Sequence, residues 1–298
     1  MFIFIGIAIV VGSVLGGYMI EQGNVYLLFQ PAELLIIFGG AVGGFVISSP
    51  MKVIKAVQVA LLRMFKSRIY SSSDYMDALV LLSEVFYKIR KEGLVSIEGD
   101  LDEPEKSPIF QKYPSFIKNR HALEFLADTL RTLTITDIGA HEMGSLLDYE
   151  IEAHYEEANI SAKSIASIAD SLPGLGIVAA VLGVVITMKK INEPPEVLGH
   201  SIGAALVGTF LGVLLCYGFV GPLGRNLEHI ANEDREFLTV IKEALLAFIN
   251  TPSPQVAIEF ARRVVPGDLR PSFLELESVV REAKKKQAWQ STTPKKPS

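Results

Sequence analysis

Few side chains able to do chemistry lie inside this chain's long apolar blocks. They include Thr209, deep in one block, Thr187 near the end of another, Cys216, and His200 at a block edge. None is a carboxylate. A protein that binds and releases protons within a membrane normally needs an ionisable group there. These blocks therefore either conduct nothing or work beside a titrating acid borrowed from another polypeptide. A threonine hydroxyl in an apolar helix most often bonds back to its own helix carbonyl, which by itself makes Thr209 and Thr187 structural. Cys216 is the single cysteine, so no disulfide can form within the chain, and it reads as a small apolar filler. His200 suits an interfacial place. Pro173 and Pro222 bracket the last two blocks, and each removes a backbone donor and perturbs the helix before it. On pattern alone they punctuate helix ends; the functional alternative is a hinge.

The blocks are Phe2–Ile20, Leu34–Ile47, Leu172–Met188 and Ile202–Val220. The first, third and fourth approach the ~20 residues that a helix needs to cross a bilayer. The second extends to Pro31–Ser49, interrupted by Glu33 at its edge. In a chain of 298 residues that is 49% hydrophobic, with mean hydropathy +0.35, such separated blocks exclude an ordinary soluble protein. The charged residues crowd instead into Lys52–Asp170 and Arg225–Lys296. The net charge of −5 argues against nucleic acid as a partner. There is no phosphate-binding G-x-x-x-x-G-K-[ST] loop, no H-E-x-x-H metal motif and no G-x-S-x-G elbow, so the chain is not expected to be an enzyme or to hold a metal or cofactor.

The expected fold is an all-α membrane protein, four transmembrane helices with a large helical cytoplasmic insert between the second and third. The connection Glu21–Gln30 has no Lys or Arg, whereas Lys52, Lys55, Arg63, Lys66 and Arg68 follow the second span. The positive-inside rule then puts the insert and both termini in the cytoplasm. The apolar start, without a basic leader region, reads as an uncleaved first span. Expected boundaries are 1–50 for the first two spans, 51–171 for the cytoplasmic domain, 172–222 for the last two spans, 223–283 for a cytoplasmic helical region and 284–298 for a disordered tail. Within the insert, Ser73 can cap a helix to about Lys91, with Met76, Leu79, Leu82, Phe86 and Ile89 along one side and Gly93 as its stop. Leu94–Pro114 holds three prolines and reads as loop. A helix is expected over His121–Thr132, and another from near Asp137 with nothing to break it before Pro173. Glycines four apart, at Gly12/Gly16, Gly39/Gly43, Gly40/Gly44 and Gly208/Gly212, would let at least one pair of helix backbones approach closely.

Three segments carry a resemblance. They are DSLPGLGIVAAVLGV from Asp170 to Val184, GAALVGTFLGVLLCYGFVGPL from Gly203 to Leu223, and RKEGLVSIE from Arg90 to Glu98. With a Gly-rich first span and a Pro-Ala-Glu-Leu opening to the second, they resemble the MotA family of flagellar motor stator subunits, within the MotA/TolQ/ExbB proton channel family, over about residues 1–280.

The resemblance implies a ring in the bacterial inner membrane, a homopentamer around a single-span MotB-like partner whose membrane Asp binds the ion. That agrees with spans lacking an acid of their own. It implies that Arg90 and Glu98 meet complementary charges on the rotor protein FliG, and that Pro173 and Pro222 couple channel events to cytoplasmic movement. It places Thr209 along the ion path. Ala180 stands where sodium-driven relatives typically have Thr and proton-driven ones Ala, which favours protons. Arg90 and Glu98 taken alone would be dipole complementation and a solvated loop charge. Two other readings remain at this point: an ExbB/TolQ-like energiser of outer-membrane processes, whose members typically have three spans, and a non-conducting membrane scaffold.

Overall fold

The computed structural model describes residues 2–64 and 70–292, and among these there are α-helices and short 3-10 and π segments but no strand. The chain forms two compact units, Met1–Ser67 with Glu157–Ile230, and Arg68–Glu156 with Ala231–Ser298. Residues 51–64 and 157–171 belong to the same unit as the apolar spans.

In the first unit, α1 (Phe2–Ile20) is apolar on every side and carries no charge. It stops at a turn where Gln22 takes a left-handed conformation, φ 59°. The short α2 (Val25–Leu28) begins at Asn24, whose side chain accepts from the Tyr26 amide at 3.0 Å. Pro31 opens α3 (Pro31–Ser48) at a position whose amide would have had no helical partner. α4 (Met51–Met64) is amphipathic and buries Val57 and Met64 against Ala162, Ile165 and Leu227. Lys52 pairs with Glu157 at 2.9 Å. Among the described residues four helical stretches, Phe2–Ile20, Val25–Ser48, Ala140–Met188 and Pro195–Asn250, are long and apolar enough to cross a membrane, as the four-span expectation requires.

The second unit is built around α5 (Ser72–Glu92). Its cap is Ser71 rather than Ser73: the Ser71 amide and hydroxyl both donate to the Asp74 carboxylate, at 2.8 and 2.6 Å. Ser71 is favoured because it places an acid at the third helical position, completing a reciprocal cap that Ser73 would not have. Gly93 ends the helix at φ 86°, its amide donating to the Ile89 carbonyl, a conformation natural to glycine. Leu79, Leu82, Phe86 and Ile89 are buried as the spacing predicts, but so are Tyr75, Ala78, Leu81 and Val85, because helices cover α5 on more than one side. Phe86 stacks on Phe248 with ring centroids 4.3 Å apart.

The stretch read as loop after Gly93 is mostly short helical turns: a 3-10 turn at Leu94–Ile97, α6 (Glu98–Asp102), another 3-10 turn at Phe110–Lys112 and α7 (Pro114–Lys118). Buried acids hold it in place. Asp100 accepts from Lys88 and from the Ser107 hydroxyl, and Glu84 accepts from Lys112 at 2.6 Å and Tyr113 at 3.1 Å. α8 (Arg120–Ile135) runs slightly beyond the expected helix at both ends.

α9 (Ala140–Met188) is continuous for 49 residues with Pro173 inside it, as the lack of any earlier breaker implied. α10 (Pro195–Leu214) passes through a π turn, Leu215–Val220, into α11 (Gly221–Asn250). α12 (Pro254–Val264) and α13 (Phe273–Thr292) complete the described chain. The expected tail from 284 begins within α13, and 293–298 lie outside the described residues.

Candidate functional site

The site forms where α9 and α10 meet through small residues. A Cβ added to Gly176 would stand 2.7 Å from the Gly208 carbonyl oxygen and 3.3 Å from the Thr209 Cα. One added to Gly212 would stand 2.6 Å from the Leu172 carbonyl oxygen, and one on Gly183 2.7 Å from the Ala205 Cβ. The two backbones are thus in contact over several turns, which only glycine and alanine permit. Gly208/Gly212 is therefore a closely packed pair, with Gly176 as its counterpart. Gly40 of α3 meets Leu175, whereas Gly12, Gly16, Gly39, Gly43 and Gly44 have nothing within 4 Å of an added Cβ.

This seam brings together two of the expected ion-path positions. Ala180 is buried, and its amide nitrogen lies 3.1 Å from where a Gly208 Cβ would be; Thr209 is the next residue along α10. Thr187, on the same face of α9, is buried and donates to the Gly183 carbonyl at 2.8 Å, the back-bond expected of it.

The two prolines lie at the same end of this seam. Pro173 leaves the Ala169 carbonyl without the amide that a regular helix would supply. Pro222 follows the π turn, in which the Gly221 amide reaches back five residues to the Cys216 carbonyl. Proline cannot make the ordinary bond to residue 218, so the wider turn is where the backbone absorbs its ring. Ala169, Leu172 and Cys216 belong to one buried cluster that joins the two helices here.

One residue was undervalued from the sequence. Glu33, at the edge of the second apolar block, is 8% exposed, and its Oε2 has no hydrogen-bond partner. A Cβ on Gly208 would collide with Oε2, and one on Gly183 would stand 3.3 Å from Oε1. The signal was available in the spacing, since Glu33, Ile37 and Ala41 are four apart on one stripe and all three are buried. The statement that the third and fourth spans hold no carboxylate is correct, but the second span inserts one between them.

Arg90 and Glu98 lie in the other unit, both exposed, on either side of the Gly93 turn. The Lys88–Asp100 pair fastens the segment that carries Glu98 to α5. Among the described residues no group of three or more His, Cys, Asp or Glu is arranged to hold a metal ion.

Residues 4–93 match the motility protein A N-terminal family, and residues 118–236 match the MotA/TolQ/ExbB proton channel family. Motility protein A of Salmonella typhimurium is 40% identical over 292 residues, covering 98% of this chain and 99% of its own. The chain belongs to the motility protein A family. The Escherichia coli member is 41% identical over 293 residues, with the same coverages, and chemotaxis protein LafT of Vibrio parahaemolyticus is 31% identical over 274 residues, covering 92% and 96%. The fold matches the solved MotAB of C. jejuni, with TM-score 0.75, 20% identity and 91% and 98% of the two chains covered. It also matches the flagellar MotAB stator complex of Bacillus subtilis, with TM-score 0.69, 24% identity and coverages of 88% and 95%. As a member of the motility protein A family, this is a multi-pass inner-membrane stator subunit of the bacterial flagellar motor, not an enzyme.

Proposed function

We propose that this stator subunit forms a homopentameric ring around a MotB-like single-span partner, whose membrane Asp takes up protons passing beside Ala180 and Thr209. Both termini face the cytoplasm, by the distribution of Lys and Arg. The observation that carries the reading is the α9–α10 seam. It is tight enough to move as one piece, it sets Ala180 beside Gly208 and Thr209, and it ends in two backbone irregularities, at Pro173 and at the π turn before Pro222. Each elementary charge crossing 100 mV supplies ~2.3 kcal/mol. Neutralising the partner's acid changes which packing of ring against partner is preferred, and the seam turns in response. Pro173 and the π turn are the places where α9 and α10–α11 bend.

In this reading the exposed Arg90 and Glu98 push on complementary charges of the rotor protein FliG. Exposed charges suit fast, reversible encounters and contribute little to stability. The paired N-terminal spans, together with a family match over residues 4–93, argue against the ExbB/TolQ-like alternative. The test is swimming speed and stator assembly in cells carrying Arg90→Glu or Pro173→Ala. Both variants should assemble, with torque sharply reduced. Normal torque in both overturns the assigned roles, and an unchanged speed when external sodium is replaced by potassium supports the proton assignment.

A further inference from the structure

Glu33 fits none of the roles above, and its surroundings are unusual for a carboxyl group. Its side chain enters a recess whose walls are Gly183, Ala179, Ala180, Ala205 and Gly208. Both glycines also hold the two helices together, since a Cβ at 183 would stand 2.7 Å from the Ala205 Cβ and one at 208 3.1 Å from the Ala179 Cβ. A methyl group at 208 would occupy the position of Oε2, and one at 183 would crowd Oε1. The glycines that let α9 and α10 touch thus also leave the space that the carboxyl group fills.

Charge makes the placement informative. α1 has no charged residue, α9 has none between Asp170 and Met188, and α10 has none from Ser201 to Leu214. Ionisable groups further along the packed elements include Asp170 of α9, Glu196 and His200 early in α10, and Lys189 and Lys190 just beyond α9; Lys190 donates to the Ser201 hydroxyl. No ion pair reaches Glu33 among the described residues, and Oε2 accepts no hydrogen bond. The α3 N-terminus would favour a negative charge, but that influence is modest beside the loss of solvation of an unpaired carboxylate. An unpaired carboxylate is costly in such a place, which suits the group to holding a proton.

Building on the conduction reading above, we infer that Glu33 is a proton-binding residue of the ion path contributed by this chain itself, with Gly183 and Gly208 as its cradle. The step is a plain proton exchange. An O–H bond forms at Oε2 as a hydronium ion in the access water gives up its proton and leaves as water. That bond breaks when the proton passes, through water, to the partner's membrane carboxylate, which returns Glu33 to its ionised form. The recess adjoins Ala180, so the residue that the family resemblance links to ion choice would act next to this acid.

The experiment uses the full complex with its single-span partner, the partner's channel plug deleted, in membrane vesicles loaded with a pH-sensitive dye. Glu33→Gln keeps the shape and removes the titration; proton flux should fall about tenfold or more. Glu33→Asp, which keeps a titrating group on a shorter arm, should retain part of the flux. Wild-type flux in Glu33→Gln overturns the inference, while absence of flux from the unsubstituted complex overturns the conduction reading instead. A readout independent of conduction is labelling of the purified complex by dicyclohexylcarbodiimide, which reacts with protonated carboxyl groups in apolar surroundings. An adduct at Glu33, mapped by mass spectrometry, supports the inference even if Glu33→Gln fails to assemble, and no adduct at Glu33 across about pH 6–8 overturns it.

Discussion

Gly176 and Gly212 stand backbone to backbone: a Cβ placed on Gly212 would lie 2.9 Å from the Gly176 Cα. Within lipid there is no hydrophobic force to hold two apolar helices together, so close van der Waals contact of this kind does the holding. Gly212→Val should therefore separate α9 from α10 and abolish stator assembly at the motor, seen as loss of fluorescent foci and a lowered melting temperature of the purified protein. Gly12→Ala, with no neighbour within 4 Å in the chain, should leave that temperature unchanged.

Asp100 is buried and satisfied on both oxygens, by Lys88 and by the Ser107 hydroxyl at 2.7 Å. Asp100→Ala should cost about 1–3 kcal/mol, because the half-buried Lys88 ammonium and Ser107 lose their acceptor together. Hydrogen exchange should speed up across Gly93–Asp102. Swimming should slow although Arg90 and Glu98 are unchanged, since the segment that presents Glu98 is no longer fastened to α5.

His121 of α8 stacks on His154 of α9 with ring centroids 3.5 Å apart. Burial, and then the neighbouring His154, hold its pKa below the ordinary histidine value, against smaller opposing effects of Asp234 and Glu124. The unfolded chain then binds more protons than the folded one at pH values between the depressed folded pKa and about 6.5. Stability from this site is complete above about pH 6.5 and falls as the pH is lowered towards the folded value. Thermal unfolding from pH 7.5 down to 5.5 should show that decline, and His121→Phe should flatten it.

Glu259 is held at a pKa of about 2, first by its hydrogen bonds from Arg262 and also by Arg263, which outweigh its partial burial. A depressed carboxylate stabilises the fold above its ordinary pKa, and that contribution disappears as the pH falls from about 4.5 to about 2. Arg262 also donates to the Pro271 carbonyl at 3.1 Å, so the same cluster ties α12 to the segment before α13. Glu259→Gln should lower stability by about 1–2 kcal/mol at neutral pH, and by much less at pH 3, in denaturant titrations of the purified protein.

Legibility from sequence followed the range of the interactions. The unbroken α9 could be read because no proline lies between Asp137 and Pro173, and the stop of α5 because Gly93 suits the left-handed turn that ends it. The cap at Ser71 was missed by two residues because three consecutive serines compete for it, and the decision falls to Asp74. The prolines after Gly93 predict a loop, but the stretch forms short helical turns. Its turns are held by Glu84 and Asp100, whose partners Lys112 and Lys88 are 28 and 12 residues away.

Composition and periodicity by themselves determined the four spans, the charged helical region and the absence of acid from the last two spans, since each follows from solvation of residues close in sequence. Which glycines touch, and what sits against them, was decided only by the tertiary structure. Glu33 lies 150 residues from Gly183 and 175 from Gly208. Only the packing of three helices shows that an acid at the head of one span fills a recess between two others, because a void is a property of surfaces that meet and not of any one of them.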